Sequence, residues 1–198
     1  ALTIAEERLN LFAHMANSAC GLSLWCFGMK KQLYTCTCPA EKEFRLFLDL
    51  GQCLDYAIAH GPESHAPILM SDPIGMLWVA ECVWHGDDAS YLVILGPVFD
   101  AAASLQTLQN CLRGMNLSVS LTATIMEKLE QVPILPLSTL HQYIKMLHWV
   151  LYEETLDVGS IRLQNRSNII PDKEESPSPW DPDLSLIHIS EPTRHLRI

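Results

Sequence analysis

Two apolar runs joined by a short turn constrain this chain more than any other feature. Met76–Trp84 carries a single charge, Glu81, and Ser90–Leu95 carries none. His85-Gly86-Asp87-Asp88 between them is a turn sequence. Runs of this length, rich in Val, Ile, Leu and Trp and bounded by turn residues, read as paired antiparallel strands. A strand as uniformly apolar as Ser90–Leu95 has no solvent face and belongs in the centre of a sheet. Gly96-Pro97 follows it and is expected to interrupt the ladder, because proline has no N–H to donate.

The remaining elements are arranged around that pair. Ile4, Leu9, Phe12 and Met15 lie on roughly one helical face, predicting a helix over 4–17. Leu22–Phe27 and Gln32–Cys38 read as strands joined by a turn at Met29–Lys31. Phe44, Phe47, Leu48, Leu54 and Ile58 predict one helix over Glu41–His60, stopped by Gly61-Pro62. Pro67–Met70 is a short strand, and Asp72-Pro73-Ile74-Gly75 is a type I turn sequence. Three helices are expected after the hairpin, at Ala102–Leu112, Ser118–Gln131 and Ser138–Thr155. The last carries an amphipathic stripe of Leu140, Ile144, Leu147 and Leu151. The order predicts an α+β fold: one antiparallel sheet of about five strands flanked by helices, followed by a helical segment.

Composition narrows the function classes. The chain has 198 residues, 48% of them hydrophobic and 18% charged, as a globular domain has. The least charged stretch, Ala89–Leu112, contains Asp100, Gly96 and Pro97, so no apolar run of about 20 residues is available to span a membrane. Thirteen basic against 23 acidic residues give a net charge of −10, which disfavours phosphate contacts. Glu6, Glu7 and Arg8 exclude the apolar core of a signal peptide. Seven cysteines, an odd number spread through apolar segments, point to a reducing cytoplasm rather than a disulfide framework.

The ends are read separately. Leu184–Arg194, LSLIHISEPTR, matches one translated frame of a common transposase-type sequencing adapter. Residues 184–198 are therefore expected to be read-through and are set aside from the fold. Residues 166–183, rich in Pro, Ser, Asp and Glu, read as a linker.

Few residues point to chemistry. Trp78, Ala80, Cys82 and Trp84 share one strand face, and Tyr91 and Val93 are expected to face the same side from the neighbouring strand. Two tryptophans flanking small residues either line an aromatic pocket or pack as a core or dimer face. Glu81 is either a solvated outer-face residue or the polar anchor of a ligand. Trp78, Trp84, Tyr91 and Glu81 are thus the candidate ligand-binding residues. Cys36 and Cys38 share a face if both lie on one strand. They either pack as thiols or, with Cys26 and His14 or His85, hold a metal. His141 and His148, seven apart on one helix, are boundary histidines or ligands. There is no GxSxG context, phosphate loop or Walker pattern. No catalytic residue, metal site or cofactor is expected, and the fragment is not expected to be an enzyme.

Four segments occur in a telling order: Leu54-Asp-Tyr-Ala-Ile-Ala-His-Gly-Pro-Glu, Pro67-Ile-Leu-Met-Ser-Asp-Pro-Ile-Gly-Met-Leu-Trp, Ile94-Leu-Gly-Pro-Val, and Leu135-Pro-Leu-Ser followed by Tyr143 and Met146-Leu-His. They resemble the N-terminal sensory region of AraC-type transcriptional regulators from Gram-positive bacteria. The resemblance covers about residues 1–165. It implies a GAF- or PAS-like sensory domain over 1–132 and a helical dimerisation and signal-transmitting segment over 133–165. It also implies a small-molecule effector, a homodimer, and DNA contact only through a C-terminal pair of helix-turn-helix motifs that this chain lacks. The input domain of another signalling protein and a ligand-free dimerisation module stay open beside it.

Overall fold

A computed structural model describes residues 4–164. The elements run α1 (Ile4–Cys20), β1 (Leu24–Gly28), β2 (Leu33–Cys36), α2 (Glu41–Leu50), α3 (Cys53–His60), β3 (Ile68–Ser71), β4 (Leu77–His85), β5 (Asp88–Val98), α4 (Leu105–Arg113), α5 (Val119–Leu129), α6 (Leu137–Tyr152) and β6 (Arg162–Leu163). The linker over 166–183 and the read-through over 184–198 lie outside the described residues.

The strands form one six-stranded sheet in the order β2-β1-β5-β4-β3-β6. The first five are antiparallel, as expected, and β6 adds a parallel edge to β3. The sheet is therefore mixed and one strand wider than the pattern predicts. Helices cover both faces. Phe44, Phe47 and Leu48 of α2, Leu54 of α3, Leu108 and Leu112 of α4 and Ile125 of α5 pack on Trp25, Phe27, Trp78, Ala80, Leu92 and Ile94. Leu9, Phe12 and Ala16 of α1 and Leu140, Ile144 and Leu147 of α6 pack on Leu24, Val79, Val93 and Leu95. Double coverage explains the unbroken apolar runs, because neither side of β5 meets solvent along its centre.

Local chemistry sets the boundaries. Gly51 and Gln52, the latter at φ 54°, split the single helix expected over 41–60 into α2 and α3. Ser104 and Ser118 cap α4 and α5 by accepting the N–H groups of Thr107 and Leu121. The interruption expected at Gly96-Pro97 does not end β5. The register passes from Val79↔Leu95 to Leu77↔Val98, so β5 carries an extra residue there and Pro97's missing donor falls in a bulge. Toward β1 the ladder continues, with Gly96 N–H donating to the Ser23 carbonyl at 3.0 Å. A β-carbon on Gly96 would sit 2.8 Å from the Trp78 ring and 2.9 Å from the Leu77 carbonyl, and its φ is +139°. Only glycine fits there.

Candidate functional site

The structure separates the four residues singled out from sequence. Trp78 lies on the α2–α5 face, wholly buried, with its ring 5.9 Å from that of Trp25. Its Nε1–H donates to Asp72 Oδ2 at 2.9 Å, and Asp72 Oδ1 accepts the N–H groups of Ile74 and Met76. This is a sealed core ring tied to the β3–β4 turn. Trp84 packs at the edge of the same core, 5.7 Å from the His65 ring, and its buried Nε1 has no partner among the described residues.

Tyr91 and Glu81 are on the other face. A regular hairpin counted back from His85↔Asp88 would set Cys82 opposite Tyr91. The ladder instead runs from Trp84↔Ala89 to Val83↔Tyr91, leaving Ser90 as an extra residue. That slip turns Tyr91 and Val93 away from the tryptophans and toward α1 and α6. The shared face expected for Trp78, Trp84 and Tyr91 is therefore corrected.

Glu81 is neither a solvated edge residue nor exposed to a ligand. It sits mid-sheet opposite Val93, only 1% exposed. α6 brings His148 to it, and His148 Nδ1 and Glu81 Oε1 are hydrogen-bonded at 2.6 Å. Glu81 Oε2 is buried without a partner among the described residues. Burial pushes the Glu81 carboxyl up, and the bond and charge of His148 pull it only part of the way back. One turn further along α6, Tyr152 donates its hydroxyl to the Cys82 carbonyl, and its ring stacks on His65 at 4.7 Å. α6 is thereby fastened to β4 by polar contacts as well as by its apolar stripe.

Open space lies on the same face of the sheet. A cleft of about 530 Å³ runs between the first half of α1 and the outer part of β1, β2 and β5. Glu6 and Asn10 hang over it from α1, Cys26 forms its floor, and Tyr34, His85 and Tyr91 line its walls. The volume suits a small organic ligand. The lining mixes two phenol rings with a carboxylate, an amide and an imidazole, and it contains no lysine or arginine. Burial raises the Tyr91 phenol, with Cys26 and Glu6 adding to it, so the hydroxyl stays protonated and can donate. Burial likewise pushes the Cys26 thiol up to about 11, so it serves as apolar floor rather than as a nucleophile.

No family model, no curated protein and no solved structure matches this chain. The site is read from its own chemistry. Among the described residues no group of three His, Cys, Asp or Glu side chains could hold a metal ion. Cys26 faces α1, whereas Cys36 and Cys38 pack toward α2, so the cysteine set considered for a metal is divided by the sheet. Of the four candidate ligand-binding residues, Tyr91 alone lines the cleft; Cys26 and His85, considered in the sequence as metal ligands, line it too. Tyr34, Glu6 and Asn10 carried no sequence signal, because helix α1 and hairpin β1–β2 meet there only through the tertiary fold.

Proposed function

We propose that this chain is the sensory and dimerisation region of a transcriptional regulator, acting in the cytoplasm. A small organic effector binds in the cleft roofed by α1. The observation that carries the reading is the position of that cleft. Its roof is the helix that packs directly against α6, so a ligand that shifts α1 also shifts α6. The GAF- or PAS-like resemblance and the acidic surface, poor for nucleic acid, support the same reading. DNA is contacted only by a helix-turn-helix region outside this chain. The absence of lysine and arginine from the cleft lining selects a neutral or cationic effector, and the two phenols favour one with a ring.

Dimerisation uses a different surface from the one the helical stripe suggests. Leu140, Ile144 and Leu147 are spent on the sheet. What faces outward on α1 and α6 is Leu11 and Met15 beside Met146 and Trp149, each between 45% and 61% exposed, bordering an almost wholly apolar groove of about 330 Å³. A ligand-free dimerisation module is the second reading, favoured by the sealed packing around Trp78.

Native mass spectrometry of the full chain, purified without denaturation from a bacterial cytoplasm, tests both. The expected result is a dimer carrying a small co-purified mass that Tyr91→Ala abolishes. A clean dimer that no panel of aromatic amines and neutral ring compounds stabilises would transfer the reading to the ligand-free module. A monomer at micromolar concentration would remove dimerisation from it.

A further inference from the structure

β2 ends at Cys36, and the chain turns through Thr37 to Cys38 before α2 begins at Glu41. The two cysteines are therefore not neighbours on one extended strand, as alternation predicts. A bend brings them together. The Cys38 backbone N–H donates to Cys36 Sγ at 3.2 Å, and the two thiols hydrogen-bond to each other.

Their surroundings differ. Cys38 Sγ receives the Cys36 thiol, the Ala40 N–H and the Ser23 hydroxyl. Ala40 is the N-cap of α2, so its N–H belongs to the donor-rich end of that helix. The Cys36 bond foremost, with the other two donors, holds the Cys38 thiol at about 7 despite burial and the nearby Glu41 carboxylate. Cys36 moves the opposite way: its bond to Cys38 first, then burial, keeps its proton in place, and Glu41 adds to this. One sulfur is set up as the nucleophile and the other as a protonated reserve.

Cys38 has access as well as activation. It lines a cavity of about 130 Å³ where several connections converge at one end of the sheet, with Ser23, Ala40, Pro97 and Pro133 among its walls. That space admits a small molecule to the Cys38 sulfur. The cavity is separate from the α1 cleft and shares none of its lining residues.

We propose that Cys36 and Cys38 form a redox-responsive dithiol whose substrate is a small hydroperoxide, hydrogen peroxide above all. The Cys38 thiolate attacks one peroxide oxygen. An S–O bond forms, the O–O bond breaks, and the departing hydroxide takes a proton to leave as water. Cys38 is now a sulfenic acid, oxidised by two electrons. The Cys36 sulfur then attacks Cys38, the S–S bond forms, the S–O bond breaks, and the leaving hydroxide carries off the Cys36 proton as a second water. The product is a Cys36–Cys38 disulfide. Cys26 and Cys82, whose thiols burial pushes up to about 11, stay reduced and serve as internal controls.

Peptide mapping of the full wild-type chain after substoichiometric hydrogen peroxide tests this without any variant. The expected product is a peptide lighter by two hydrogens that links Cys36 to Cys38 and is restored by dithiothreitol. Iodoacetamide labelling of Cys38 should rise through a midpoint near pH 7. Cys36→Ser should give a sulfenic acid at Cys38 that dimedone traps, and Cys38→Ser should slow peroxide consumption roughly tenfold. Oxidation that spreads over the other cysteines while Cys38 stays reduced, or a labelling midpoint at the ordinary thiol value, would overturn the proposal.

Discussion

On the side of the sheet covered by α2–α5, Trp25, Phe27, Phe47 and Trp78 are sealed in, and the Trp78 N–H donates to a carboxylate. On the side covered by α1 and α6, a glutamate is buried with one oxygen unpartnered among the described residues, a cleft stays open, and Leu11, Met15, Met146 and Trp149 face outward. The same strands supply both sides, residue by alternate residue. The first side buries the largest rings and leaves Trp84 Nε1, unpartnered among the described residues, at its edge, whereas the second places its unpartnered carboxylate oxygen at mid-sheet.

The comparison breaks first at Trp78. Trp78→Ala should cost about 3–5 kcal/mol by urea denaturation, since it opens a large cavity and removes the donor to Asp72 Oδ2. A loss under about 1 kcal/mol would mean that the two faces do not differ as described. Glu81 gives the next largest effect. His148→Ala leaves the carboxyl buried without its imidazole and should destabilise by about 3 kcal/mol, whereas replacing both residues by leucine should be close to neutral. Because burial raises the Glu81 carboxyl in the folded state, its contribution is fully present below the ordinary value of 4.5 and is lost as pH rises through the folded one. Wild-type stability should therefore gain on that of Glu81→Gln as pH falls from neutrality toward 4.5, measured by denaturant titration at each pH. Parallel curves would show that Glu81 is not the titrating group. The smallest effect belongs to the outer strip. Trp149→Ser with Met146→Ser should change unfolding free energy by about 0.5 kcal/mol or less, as exposed substitutions do. The same double variant should weaken self-association several-fold by analytical ultracentrifugation.

The two faces were also unequally legible. β4 and β5 announce themselves as apolar runs, and the stripe of α6 shows in its leucine spacing. Which face each strand residue took was harder to read. One extra residue, Ser90, reverses the orientation of Tyr91, and nothing in the local sequence marks it. The Glu81–His148 pair joins residues far apart in the chain, so Glu81 looks like a surface charge until α6 is laid over it. The break between α2 and α3 rests on a left-handed Gln52 that helical periodicity hides. β6 is too short to carry a pattern at all. Alternation along a strand gives Cys36 and Cys38 a common face, but β2 ends at Cys36 and it is a bend that brings the two together.

Arg162 has a mechanical consequence. Its guanidinium donates to the main-chain carbonyls of His60 and Ala66 at 2.6–3.2 Å, with longer reaches to Gly61 and Ser64. Its own N–H and that of Gln164 bond to Pro67 and Leu69. Tension arriving along the polypeptide beyond Gln164 would have to strip this grip, oxygen by oxygen, before β6 could peel from β3. The load path thus enters at the margin of the sheet, next to the segment that presses His65 onto Tyr152.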